Sequence, residues 1–153
     1  AVILAVGFRE MGVEGKALED EVVSVAQKHG IRLIGPNTSG MMNLKTGLNL
    51  VGLKDAPKGN IGLISQSGNM ALTLITEARL KRLKGFSYYI GVGNEADIKF
   101  HEYLEFFRND PDTHAILMYV EGMRAGRKFL QHAYKTCIEK PIILLKSGRS
   151  ATG

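Results

Sequence analysis

The chain has 153 residues, of which 44% are apolar and 23% charged, with a formal net charge of +5. A chain of this length needs neither disulfides nor a metal to fold, and its single cysteine, Cys137, excludes a disulfide framework and a cysteine-based zinc site. No apolar run approaches the roughly 18 residues of a membrane span, and the only dense basic cluster, Arg79, Lys81, Arg82 and Lys84, reads as a solvated helix end, so neither a membrane nor a nucleic acid is expected as partner.

Apolar runs and helical periodicity alternate along the chain. Val2 to Val6 is a continuous apolar run and reads as a buried strand, too short and without the basic flank of a signal peptide. A chain opening in mid-strand and stopping at KSGRSATG reads as a piece of something longer. Gly7 to Gly15 is a turn. Over 16–29, Leu18, Val22, Val25 and Ala26 share one face, which predicts a helix ended by Gly30. Ile31 to Ile34 reads as a strand, 35–40 as a loop, and 41–50 as a hairpin or two short extended pieces around Gly47. Residues 51–60 carry turn formers without periodicity, and a domain boundary is expected there.

The remainder has a cleaner pattern. Strands are predicted at 61–65, 86–92, 115–120 and 142–146, with helices over 69–83, 98–108 and 124–137 and Asp97 as cap of the second. Continuous apolar strands alternating with helices predict an α/β fold with a parallel sheet covered on both faces, and the runs at 61–64, 116–120 and 142–145 as adjacent parallel strands. Ligands of such sheets sit beyond the carboxyl ends of the strands. Those ends are Ser65 to Asn69, Val92 to Asp97, Val120 to Gly122 and Ser147 to Gly153.

The sharpest feature is GNIGLISQSGNMA, residues 59–71, a strand running through a glycine turn into a helix. Ser67, Gly68, Asn69 and Met70 would present free N–H groups that, with the helix dipole, suit a phosphate or carboxylate. A plain serine cap accounts for the same residues. Neither a P-loop nor a G-x-S-x-G elbow is present. Glu121, at a strand end before Gly122, could orient a histidine or a metal, accept a proton, or cap the following helix. Asn37 and Thr38 occupy a strand-end loop in the first half and could hold a ligand between the halves or close a turn. His29, His101, His114 and His132 share no loop with these positions and read as structural.

Taken together, GFREMGVEG (7–15), IRLIGPNTSG (31–40), GNIGLISQSGNMA (59–71), GVGNEADI (91–98), ILMYVEGMRAGRKF (116–129) and KPIILLKSGRSATG (140–153) resemble the nucleoside-diphosphate-forming acyl-CoA synthetases. That superfamily includes ADP-forming acetyl-CoA synthetase and the succinyl-CoA synthetase α subunit, and the SQSG, GNEAD and KSGRS forms look closer to the acetate enzymes. The resemblance implies a flavodoxin-like, three-layer parallel-sheet domain over 61–153, preceded by a 51–60 linker and by the tail of a Rossmann-like CoA-binding domain over 1–50. It implies acyl transfer through an acyl phosphate and a phosphohistidine, with coenzyme A as cofactor. ATP or ADP with Mg²⁺ would be handled by an ATP-grasp domain or subunit outside this chain. By the same likeness Ser67, Gly68 and Asn69 hold the phosphoryl group, Glu121 supports the phosphohistidine, Gly7 and Phe8 touch coenzyme A, and Asn37 and Thr38 lie near its thiol. A cytoplasmic location follows, and a homo-oligomer is compatible.

Two departures stand out. Thr38 replaces a cysteine found in some members, and the phosphohistidine loop and the glycine-rich turn of the CoA-binding domain are not in these residues. Two other readings stay open: an acyl-CoA-responsive module of a protein lysine acetyltransferase, and a non-catalytic homologue. Flanking sequence separates them.

Overall fold

The computed structural model describes residues 1–148. Its elements are α1 (Val13–Lys28), β1 (Met41–Asn43), β2 (Leu48–Asn49), β3 (Lys58–Ser65), α2 (Gly68–Leu80), β4 (Phe86–Gly91), α3 (Phe100–Asn109), β5 (Ala115–Val120), α4 (Gly126–Glu139) and β6 (Ile142–Lys146). They build a six-stranded sheet in the order β2-β1-β4-β3-β5-β6. The β4, β3, β5 and β6 strands are parallel neighbours, as expected from their apolar runs, and β1 joins β4 antiparallel.

Side chains alternate across the sheet because a strand repeats every two residues. Leu63 and Tyr89 face α2, where they pack with Ala71, Ile75 and Ala78. Ile64, Ile90, Ile116, Met118 and Val120 face α3 and α4, where Leu104, Phe107 and Phe129 complete a second core. The molecule is therefore three layers, with α2 on one side of the sheet and α3 and α4 on the other.

The first half departs from its sequence reading. Val2 to Val6 and Ile31 to Ile34 do not form strands; they meet in one parallel bridge, Val2 to Ile34. Leu4 and Val6 are exposed, so the apolar run here is not covered by a second layer. The buried positions of α1 are Gly15, Glu19 and Ala26, whereas Leu18 and Val25 lie outward. A buried carboxylate holds that face because it is paired, as shown below. The hairpin around Gly47 forms as β1 and β2, on the edge of the main sheet. The β3 strand begins at Lys58, inside the segment read as linker. Lys99, not Asp97, caps α3. Asp97 instead accepts the Leu33 N–H at 2.7 Å and pairs with Arg32 at 3.0 Å.

Candidate functional site

Three strand ends and one loop from the first half enclose a cleft of about 320 Å³, lined by Asn37, Gln66, Gly93–Glu95 and Glu121–Arg124. It lies at the carboxyl ends of β3, β4 and β5, where an open parallel sheet leaves backbone groups free.

The loop over 35–40 reaches the cleft because β4 and α2 leave room for it. A Cβ on Gly91 would fall 2.6 Å from Thr38 Oγ1, and one on Gly93 would fall 2.1 Å from the Pro36 carbonyl oxygen. Backbone bonds seat the loop: Asn94 N–H donates to Pro36 C=O at 2.9 Å, and Gly91 N–H to Gly40 C=O at 2.9 Å. Thr38 is buried; its hydroxyl donates to Gly91 C=O at 2.5 Å and accepts from Gly40 N–H at 3.0 Å. Ser39 and Tyr89 share a hydrogen bond through their hydroxyls. Asn37 sits in the left-handed region at φ 55°, which asparagine tolerates, and its amide donates to Asn94 Oδ1 at 3.3 Å.

Asn94 extends this contact to the N-terminal helix. Its Nδ2 donates to Glu10 Oε2 at 2.7 Å and to Glu19 Oε2 at 2.9 Å. Glu19 is 1% exposed and pairs with Arg9 at 2.6 Å, while Arg124 from the cleft rim stands 3.9 Å away. A carboxylate so buried is tolerated because its oxygens are matched by cations and an amide. Desolvation pushes the Glu10 carboxyl up, but the hydrogen bonds from Asn94 and from the Gly7 and Phe8 N–H groups outweigh it and hold it at about 2. Those two N–H groups donate to Glu10 Oε1 at 2.7 and 3.1 Å.

Glu95 is buried with φ 53°; its Oε1 accepts the Phe100 N–H at 3.0 Å, and Oε2 has no partner among the described residues. Burial pushes this carboxyl up, against the pull of the Phe100 N–H and the Lys99 and Arg9 charges.

At the end of β3, Ser67 is the N-cap of α2 and its hydroxyl accepts the Met70 N–H at 3.3 Å. The Ser67 N–H donates to Ser65 Oγ at 3.2 Å. Ser67 and Met70 thus have occupied N–H groups, contrary to the expectation of four free ones; Gly68 and Asn69 have no partner among the described residues. Gly68 abuts Ser39, 2.9 Å from where a Cβ would stand.

Of the residues singled out from sequence, the cleft brings together Glu121 and Asn37. The Ser67–Asn69 turn adjoins it through Gln66. Thr38 is turned inward, and Gly7 and Phe8 lie at the Glu10 carboxylate instead of the cleft wall. Among the strand ends named, 149–153 fall outside the described residues. Sequence reasoning missed Gln66, Arg124 and Glu19. The signals were a long polar side chain directly after an apolar strand, and a glutamate on the inner face of a helix.

A mixed, mostly parallel sheet with helices on both faces is an α/β architecture of the flavodoxin-like kind. Residues 58–153 match the family described as succinyl-CoA ligase like flavodoxin domain, and the chain belongs to that family. It is 42% identical over 152 residues to the acetate–CoA ligase (ADP-forming) II subunit alpha of Pyrococcus furiosus, covering 99% of this chain and 33% of that protein. A crystal structure from Pyrococcus horikoshii OT3 superposes with a TM-score of 0.92 at 43% identity, covering 96% of this chain and 34% of that one. The acetyl-coenzyme A synthetase 1 of Ca. Korarchaeum cryptofilum, in complex with phosphate and ADP, gives a TM-score of 0.92 at 38% identity, covering 100% of this chain and 33% of that one. The chain spans about a third of the length of these relatives. No helix among the described residues is long and apolar enough to cross a membrane.

Proposed function

We propose that this chain is part of an ADP-forming acyl-CoA ligase of the acetate kind, the part that passes a phosphoryl group between an acyl phosphate and a histidine. In this reading residues 1 to about 50 are the tail of a CoA-binding Rossmann-like domain, and those from 61 onward are most of a flavodoxin-like domain. The observation that carries it is the shared cleft, lined by Glu121 from the sheet and Asn37 from the first half.

The chain's own residues have defined tasks. Glu121 accepts a ring N–H of the histidine, which fixes the tautomer and leaves the other nitrogen for the phosphoryl group. Its charge also offsets the positive ring. The free Gly68 and Asn69 N–H groups, at the positive end of α2, hold phosphoryl oxygens. Ser67 shapes that turn as its cap.

Coenzyme A, when bound, supplies the thiol that takes the acyl group. In this reading two places are assigned to it. A Cβ on Gly7 would meet nothing within 4 Å, so this stretch of backbone, at φ 103°, is open to a ligand. Asn37 offers its amide to the cleft. Thr38 closes the loop, because its hydroxyl is already used on both sides. Among the described residues no group of three or more His, Cys, Asp or Glu is placed to hold a metal. Mg²⁺ and the nucleotide belong in this reading to an ATP-grasp partner.

The test is a titration of the ¹⁵N-labelled chain with inorganic phosphate and then acetyl phosphate. Saturable shifts of the Gly68 and Asn69 amides are expected. Shifts confined to surface lysines, with Gly68 and Asn69 still, would refute the phosphate site.

A further inference from the structure

Gln66 is the last residue before the α2 cap and the first beyond β3. Its backbone N–H donates to Tyr119 C=O at 3.1 Å, which carries the β3–β5 ladder one step past the strand. Its side chain then turns to the end of β5. The Oε1 atom accepts the Glu121 N–H at 2.6 Å and the Gly122 N–H at 2.9 Å. Two adjacent donors converging on one oxygen also fix which way the amide lies, because the NH₂ nitrogen is a donor with no free lone pair to accept with.

The other side of Glu121 is tied as well. Lys146, at the end of β6, donates from Nζ to the Glu121 C=O at 2.7 Å. Both peptide groups flanking the Glu121 Cα are therefore held, each by Gln66 through its N–H and the second by Lys146 as well through its C=O. A residue whose N–H and C=O are both fixed has little freedom in φ and ψ, so the direction of its Cα–Cβ bond is set. Glu121 is exposed and, among the described residues, no hydrogen bond orients its carboxylate. The direction in which its side chain leaves the backbone toward the cleft is thus set by these bonds.

We propose that Gln66 is a positioning residue that sets the Glu121 carboxylate in the cleft and joins it to the phosphate turn. The functional part of this statement rests on the reading of Glu121 given above. An amide is suited to the task. It accepts two N–H groups as a carboxylate would, yet adds no charge to a cleft that already carries Glu121 and Glu95 and is to receive an anion. Gln66 is contiguous with Ser67, so one residue bonds to the Glu121 turn through its side chain and leads into the Gly68–Asn69 donors through its backbone. A displacement of either turn is passed to the other over a single peptide unit.

The experiment compares the whole chain as wild type, Gln66→Met, which keeps the length of the side chain and removes the acceptor, and Gln66→Glu, which restores an acceptor. Amide exchange is read by NMR at Tyr119, Val120, Glu121 and Gly122. In Gln66→Met the Glu121 and Gly122 amides exchange about tenfold faster, the loss of one ordinary hydrogen bond. Tyr119 and Val120 keep their wild-type rates. In Gln66→Glu the two amides return toward wild type, a rescue that a general packing role would not give. Unchanged exchange in Gln66→Met, or failure of Gln66→Glu to slow it again, overturns the proposal. Phosphate added to the same samples separates it from the reading it rests on: still Gly68 and Asn69 amides refute the phosphate site, while the exchange comparison decides Gln66 independently.

Discussion

Ser39 occupies the space that a side chain at position 68 would need. A Cβ built on Gly68 falls 2.9 Å from Ser39 Cβ and 3.0 Å from its Oγ. The glycine at the start of α2 is thus explained by a packed neighbour from the first half of the chain. Gly68→Ala should destabilise the protein by about 1–3 kcal/mol through overpacking. Ser39→Gly removes the obstructing atoms, so the double variant should recover part of that loss. Denaturant unfolding of the four proteins gives the coupling; additive losses would show that the two residues do not compete for this space.

Thr38→Val keeps the shape of a buried side chain and deletes its hydroxyl. The Gly40 N–H and Gly91 C=O then lose a partner each. A loss of about 1–3 kcal/mol is expected from leaving such groups unpaired. Thermal and urea melts check it, and a melt within error of wild type would mean that water replaces the hydroxyl.

Glu121→Ala should leave folding nearly unchanged, within about 0.5 kcal/mol, because an exposed strand-end side chain is not core. On the function proposed above, in a form of the protein that supplies the histidine, the same change should slow phosphoenzyme formation by roughly 30- to 1000-fold, the effect of losing an oriented charge contact of about 2–4 kcal/mol. Rapid mixing with acetyl phosphate, with melts alongside, measures both. Equal rates in the two proteins would leave Glu121 without a role in the transfer.

His101 gives a pH dependence of known sign. Its ring centroid lies 5.2 Å from that of His132, the two rings tilted by 57° between α3 and α4, and its Nδ1 is buried without a partner among the described residues. Burial lowers its pKa below the ordinary 6.5, helped by the charges of His132 and Lys128 and opposed by Glu102 and Glu105. Above 6.5 the ring is neutral in both states and costs nothing. As pH falls through 6.5 the unfolded chain takes the proton first, so stability drops until the folded ring is protonated too. The slope is at most about 1.4 kcal/mol per pH unit for one proton. His101→Gln should flatten the stability profile below 6.5, and parallel profiles for the two proteins would argue against it.

Asp97→Ala should cost about 1–3 kcal/mol, since it strands the buried Leu33 N–H and removes a partner of Arg32. Asp97→Asn retains an oxygen for Leu33 and should lose less. The ranking of the two midpoints in urea is the measurement; an equal loss would assign the effect to charge alone.

The sheet was legible because its strands read as continuous apolar runs: Ile61 to Ile64, Ile116 to Val120 and Ile142 to Leu145 all lie where periodicity put them, although β6 is itself exposed. Val2 to Val6 was misread for a related reason. Apolar character reports a preference for burial, whereas a strand also requires a continuous ladder, and here, among the described residues, the bridge at Val2 and Ile34 is followed only by the bond from Asn37 N–H to Ala5 C=O. Asp97 looked like a cap from its place before a helix, yet its partners Arg32 and Leu33 lie some 65 residues away in sequence, beyond any local rule. The cleft was half legible. Strand ends announced Glu121 and the Ser67 turn. The seating of 35–40 on Gly68, Gly91 and Gly93 is a tertiary contact, and with it went Asn37's meeting with Asn94, the inward turn of Thr38, and the arginine pairs of Glu19.

The two borders of the sheet differ. On one side the short β1–β2 hairpin lies antiparallel along β4 and takes up its outer backbone groups. On the other, β6 pairs only with β5 among the described residues, and Ile143, Leu144 and Leu145 are exposed at 63%, 40% and 53%. Of the two edge strands, β2 spans two residues and β6 five, so β6 offers the longer row of unpaired backbone groups. Lateral growth of this sheet by a neighbouring molecule at high concentration is favoured at β6, and a lysine or proline placed there would act as a stop.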